Sequence, residues 1–260
     1  AWDNVGNWTN SAGLNALPDN GHAYLTAGGA SYAVLCDSVQ PAISNLTVEN
    51  VAPYRTDLII GGTLSHLGGS AIRLLRGSCL TVTNNGVWTY DGLNRVTDSN
   101  ESMISIRNGG ELNVAGGMIV FTNLPISTTA YANHFNVGYG STGTLRVTSG
   151  RLEYYERAPR AYTNNNRKLY IGRMAGGVGS MEVSGGSVLL GMEAGGGEMM
   201  NVGVGGGGGP VGSPQGRVVV SGGELVFTNN NGWNLVKIGQ NYGAGTFIVT
   251  NTGAVNLRSG

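Results

Sequence analysis

Residues 135–154 read FNVGYGSTGTLRVTSGRLEY, and later stretches repeat the same phrase. Residues 169–190 read LYIGRMAGGVGSMEVSGGSVLL, and residues 236–257 read VKIGQNYGAGTFIVTNTGAVNL. Residues 200–227 open with MNVGVG and close with GRVVVSGGELVF. Each copy is an apolar–Gly step, a variable Gly-rich turn, Gly-x-apolar-x-Val, a short polar turn, Gly, and a further apolar pair. The two glycines of the second half lie seven residues apart at Gly143 and Gly150, Gly179 and Gly186, and Gly216 and Gly223. Earlier, GELNVAGGMIVFTN keeps that spacing from Gly110 to Gly117, and GSCLTVTNNGVWTY, from Gly77, is a looser copy. The last copy, Gly245 to Gly253, has one residue more.

The apolar residue after the first glycine falls at Leu112, Leu145, Met181, Val218 and Phe247, in steps of 33, 36, 37 and 29 residues. The variation sits in the turns while the cassettes keep their length. Stacked strands behave in this way, because a loop tolerates insertion and a strand in register does not. Within each cassette apolar residues alternate: Leu112 and Val114, Leu145 and Val147, Met181 and Val183, Val218 and Val220. Period two buries one face and wets the other. No stretch sustains the i, i+3, i+4, i+7 pattern that a helix needs.

Three short strands per repeat predict one coil of a three-sided solenoid, with glycines at corners where stacked backbones leave no room for a Cβ. The expected fold is all-β: a right-handed parallel β-helix (β-solenoid) of roughly eight coils, a rod on the order of 40 Å long. A propeller blade needs four strands over about 40–45 residues, so the repeat is too short for that fold. Residues 76–260 carry the repeat. Residues 1–75 fit it poorly and hold Trp2 and Trp8, so they are expected to form an amino-terminal cap with the first irregular coils. The corners TNN, at Thr83–Asn85, 163–166 and 228–231, could stack Asn side chains as a ladder or serve as solvated turns.

Composition agrees with this reading. The chain of 260 residues holds 46 Gly, with 40% hydrophobic and only 12% charged residues. Gly, Asn, Thr and Ser fill the gap left by charge, which suits turns and pleated surfaces. Net charge is zero, so neither nucleic acid nor an anionic membrane is an expected partner. No run of about 18 apolar residues is present, so no membrane-spanning helix is expected. The start at Ala1–Trp2 suits a mature secreted chain, and the last repeat breaks off as though the natural chain continues beyond Gly260.

The motifs VGYGSTGTLRVTSGRL and IGQNYGAGTFIVTNTGAV resemble the G-x-G-x-L-x-V repeats of secreted bacterial autotransporter-associated and sorting-tag-bearing β-helix proteins, which share the pectin-lyase-like solenoid. The opening WDNVGNWTNSAGLNALPDNGHAYL is similar to their starting segment. The resemblance covers about four fifths of the chain. It implies secretion and a role in adhesion, surface layers or matrix, and it brings no catalytic residues.

Chemistry is sparse. The six aspartates (Asp3, Asp19, Asp37, Asp57, Asp91, Asp98) form no paired cluster of the kind that glycoside hydrolysis uses. His22, His66 and His134 stand apart and read as turn residues. The run NVGVGGGGGPVGSP lacks the Lys-Ser/Thr ending of a phosphate loop. No catalytic residue, metal site or cofactor is expected. Cys36 and Cys79 leave two readings open, a disulfide between neighbouring coils or two buried free thiols.

One excursion stands out, residues 151–173, RLEYYERAPRAYTNNNRKLYIGR. It crowds Arg151, Arg157, Arg160, Arg167 and Lys168 among Tyr154, Tyr155, Tyr162 and Tyr170. Arg and Tyr supply rigid contact area with directional hydrogen bonds. Three readings compete: a solvated loop with internal Arg–Glu pairs, a contact between subunits, or a groove for sugar with Tyr stacking and Arg clamping carboxylates. The expected function is that of an extracellular structural protein, a subunit of a surface layer or filament that joins to copies of itself through solenoid ends and loop contacts. The alternatives are a carbohydrate-binding or lyase-like β-helix and a passenger fragment of a larger adhesin.

Overall fold

The computed structural model describes residues 2, 4, 18, 21–26, 28–67, 72–91, 104–122, 134–156, 168–192, 199–205, 212–229 and 236–258. These residues form strands and turns and no helix. The chain opens with β1 (His22–Leu25), β2 (Tyr32–Cys36), β3 (Asn45–Val48), β4 (Thr56–Ile60) and β5 (Thr63–Leu67). Next come β6 (Ile72–Leu74), β7 (Ser78–Thr83), β8 (Val87–Asp91), β9 (Ile104–Ile106) and β10 (Gly110–Thr122). The middle holds β11 (Phe135–Tyr139), β12 (Thr142–Glu156), β13 (Leu169–Arg173), β14 (Val178–Val183) and β15 (Ser187–Met192). The last are β16 (Met200–Val204), β17 (Gln215–Val220), β18 (Glu224–Asn229), β19 (Val236–Gln240), β20 (Ala244–Val249) and β21 (Ala254–Arg258).

All named pairings are parallel, and sequence neighbours pair one winding away. One sheet of eight strands runs β1-β3-β6-β9-β11-β13-β16-β19. A second, of thirteen, runs β2-β4-β7-β10-β12-β14-β17-β20, with β5, β8, β15, β18 and β21 alongside. This is a parallel β-helix, as the repeat predicts. It differs in one respect: two of the expected three sides belong to a single hydrogen-bonded sheet. β10 and β12 run straight through the second glycine corner, with register shifts between Val114 and Met118. Gly116 (φ 99°) and Gly150 (φ 83°) bend the strand there without ending it, as a bulge does.

The repeat phases resolve into stacked columns. Leu58, Leu80, Leu112, Leu145, Met181, Val218 and Phe247 pair in succession, and two residues on so do Ile60, Val82, Val114, Val147, Val183, Val220 and Val249. The alternating pairs from Leu112 to Val220 are fully buried. Between windings the step is 24 residues from Val34 to Leu58 and 22 from Leu58 to Leu80, shorter than in the repeat region. The early strands therefore stack in the same sheets, and β6 pairs with β3 on one side and β9 on the other.

The first cassette glycine is a column of its own: Gly110, Gly143, Gly179, Gly216 and Gly245 pair in line. A Cβ on Gly143 would lie 2.2 Å from the carbonyl oxygen of Ile106, and one on Gly216 would lie 2.1 Å from that of Ile171. The corner leaves no space for a side chain, so glycine recurs.

Aromatic side chains fill the wider part of the interior. Phe121 meets Trp88 edge-on at 5.2 Å and both Tyr90 and Phe135 at 6.0 Å, and Phe135 meets Tyr154 at 6.0 Å. At the amino-terminal end Trp2 is fully buried within this core, and its backbone N–H donates to the Leu35 carbonyl at 2.7 Å.

Candidate functional site

Strand alternation distributes the Arg–Tyr excursion over different surfaces. On β12, Leu152 points inward, so Tyr154 does too; it is 5% exposed and pairs in column with Phe121 and Leu190. Tyr154 is a core residue and not a contact residue. The signal was present in the sequence, since Tyr154 stands two places after Leu152 in the same alternating cassette. Tyr155 points outward and lies over Gly191, where a Cβ would come within 2.0 Å of its ring. Arg151, also outward, pairs with Glu153 at 2.6 Å.

Tyr170 lies on the outer side of the first sheet, paired with Asn136 and Asn201, and is buried all the same. The Arg173 guanidinium carbon sits 4.1 Å from the centre of its ring, and His134 meets the ring edge-to-face at 4.9 Å. This cation–π stack occupies the ring face that a sugar would need. Lys168 is half-buried just before β13. Arg157, Arg160, Tyr162 and Arg167 lie outside the described residues, as do residues 163–166 and 230–231 of the TNN corners. In the corner that is described, Asn85 adopts φ 66° and serves as the turn residue. The structure thus brings Tyr170, Arg173 and His134 together and separates Arg151 and Tyr155 from them. Sequence reading missed His134, because its partner lies one winding away.

The other histidines are also placed by stacking. His66 points inward and meets Tyr90 at 4.9 Å, within the core and not at a turn. Cys36 and Cys79 are both buried, and neither is in a disulfide. They sit on opposite faces of the second sheet. Cys36 shares its inward column with Ile60, whereas Cys79 pairs with Asp57 and Glu111 on the outer side. Asn113 donates from Nδ2 to the Cys79 sulfur at 3.1 Å, and burial pushes the Cys79 thiol pKa up. Of the two readings left open, the fold contains the unbridged, buried thiols.

Above Cys79 runs a ladder of ion pairs. Arg55 meets Asp57 at 2.7 Å and Glu111 at 3.5 Å; Arg146 meets Glu111 at 3.3 Å and Glu182 at 4.0 Å. The hydrogen bond from Arg55 to Asp57 holds the guanidinium firmly in its charged form. Arg55, Asp57, Glu111, Arg146 and Glu182 are thus linked along the rod.

The two ends of the solenoid are unlike. At the amino-terminal end the inward residues Ala23 and Leu25 are buried in one cluster with Trp2, while Val34 is partly covered. At the carboxyl-terminal end the inward columns finish in the open. Ile238 is 48% exposed, Val249 48% and Leu257 68%, while Val236, Phe247 and Val255 are partly covered. Among the described residues each of β19, β20 and β21 has a strand partner on one side only, as have β1 and β2. Gly239 marks the same asymmetry. In its column, a Cβ on Gly138, Gly172 or Gly203 would fall 2.4, 1.9 or 1.8 Å from a carbonyl of the following winding, but on Gly239 the nearest atom is 3.4 Å away.

Comparison with known protein families, with curated proteins and with solved structures finds no match.

Proposed function

We propose that this protein is an extracellular structural β-solenoid, a subunit of a surface layer or filament that assembles through solenoid ends and loop contacts. The observation that carries the reading is the continuous stack of parallel strands, in which the edge strands β19, β20 and β21 expose Ile238, Val249 and Leu257 among the described residues. Apolar side chains arranged in register beside unpaired strand edges form a template for further β-structure. The low charge density and the matched ion pairs along the rod permit close lateral packing. The resemblance of the repeat to secreted bacterial proteins supports the extracellular setting.

Electron microscopy and sedimentation of the purified protein test this. Wild type should form assemblies that Ile238→Lys and Leu257→Lys reduce, with the fold retained. Monodisperse monomers at high concentration would end the reading.

A second reading, the passenger segment of a larger adhesin, is favoured by Gly239, which keeps space for a following parallel winding. The full open reading frame decides it. For the carbohydrate reading, Tyr154 lies in the core and Tyr170 is stacked by Arg173.

A further inference from the structure

We infer that a second copy of this chain docks on the outer face of the second sheet, with the two rods antiparallel. This adds a lateral contact to the assembly read above and depends on neither end.

Up to the second glycine corner, the outer face of β10, β12, β14 and β17 carries one charge per strand, and the sign alternates. Glu111, Arg146, Glu182 and Arg217 stand on these four neighbouring strands in turn. Register divides them into two columns. Glu111 and Arg217 share one, through Thr144 and Ser180, while Arg146 and Glu182 pair directly in the next. Contacts within the molecule account for the first three charges, since Arg146 lies 3.3 Å from Glu111 and 4.0 Å from Glu182. Arg217 is left over: it is exposed and has no ion pair among the described residues. The same face exposes Val178 at 40%, with Val219 and Ile248 half-buried.

Two copies stack sheet on sheet about a two-fold axis that runs along the rod or along the strands. An axis along the rod keeps each strand opposite itself, so every charge meets a like charge or an uncharged residue. An axis along the strands, set between β12 and β14, reverses the strand order and keeps position along each strand. Glu111 then faces Arg217 of the second copy, Arg146 faces its Glu182, and the symmetry repeats both pairs. Moving that axis onto β12 or β14 would set Arg146 or Glu182 against itself. The charge order thus selects one arrangement, and complementarity of this kind fixes register more than it adds affinity. The overlap runs from β7 to β20, roughly 500 Å² per copy, so association belongs in the micromolar range or weaker.

The experiment is sedimentation equilibrium on the full chain from about 1 to 500 µM at two ionic strengths, with distances between nitroxide labels. The expected result is a monomer–dimer equilibrium reaching twice 26.8 kDa and weakened by salt. Arg217→Glu should weaken it about tenfold or more, because it sets like charges opposite each other at two symmetry-related places. Ile238→Lys and Leu257→Lys should leave it unchanged. Thr142 and Ala244 share one outward column, three strands apart, at exposed positions. Labels on Thr142→Cys should place the backbones of the two copies about 11 Å apart, and labels on Ala244→Cys about 26 Å. Equal distances at both positions would overturn the antiparallel arrangement. Association that ignores Arg217→Glu but responds to Ile238→Lys or Leu257→Lys would overturn the lateral contact and leave end-joining intact. Wild type that stays monomeric throughout would overturn both. Circular dichroism and thermal melting of each variant confirm that the fold persists.

Discussion

At the scale of single residues, the column Gly138, Gly172, Gly203 and Gly239 separates two reasons for glycine. All four have positive φ, between 62° and 79°, and an alanine there pays a conformational penalty of about 1 kcal/mol. Only the first three also meet an oncoming strand. Gly203→Ala forces a Cβ to within 1.8 Å of the Ala244 carbonyl and should cost about 3 kcal/mol or more, whereas Gly239→Ala should cost only the first penalty. Chemical denaturation of the two variants checks this, and equal losses would refute the steric account. Cys79 gives a pH prediction. Burial raises its pKa, so the folded state holds the thiol proton after the unfolded chain, titrating near 8.5, has released it. Stability should therefore fall as pH rises past that value and level off beyond the folded pKa, and Cys79→Ala should flatten the slope. Thiol reagents should leave both cysteines unmodified until denaturant is added.

At the scale of elements, the sequence made the cassettes legible because two constraints coincide there. A period of two fixes which side chains turn inward, and the seven-residue glycine spacing fixes where each corner lies. Leu112 with Val114 and Met181 with Val183 could thus be assigned to the core from spacing alone. Contacts across windings were not legible, because loops of unequal length separate the partners. Tyr170 meets His134 across 36 positions, and Phe121 meets Trp88 across 33. The merging of two sides into one sheet was also hidden, since a glycine that bends a strand and one that ends it look alike. The aromatic interior is the element most exposed to a single change. Phe121→Ala removes the ring shared by Trp88, Tyr90 and Phe135 and should cost about 3–5 kcal/mol. The outer ladder should behave oppositely. Glu111→Gln breaks pairs with Arg55 and Arg146 whose side chains are 48% and 39% exposed, so the loss should stay below about 1 kcal/mol and shrink in high salt. Denaturant titrations at two ionic strengths distinguish the two behaviours.

At the scale of the whole molecule, a solenoid is nearly one-dimensional: each winding is stabilised by the one before and the one after. A terminal winding lacks one neighbour, so local opening should cost least at an end that nothing covers. The two ends here predict an asymmetric profile. Hydrogen exchange in dilute solution should be fastest in β19, β20 and β21, slowest in β10 and β12, and intermediate in β1 and β2, where Trp2 seals the core. Trp2→Ala should speed exchange in β1 and β2 and leave β19 to β21 unaltered, because stability passes only between neighbours. Equal protection at both ends in dilute solution would mean that Trp2 closes nothing.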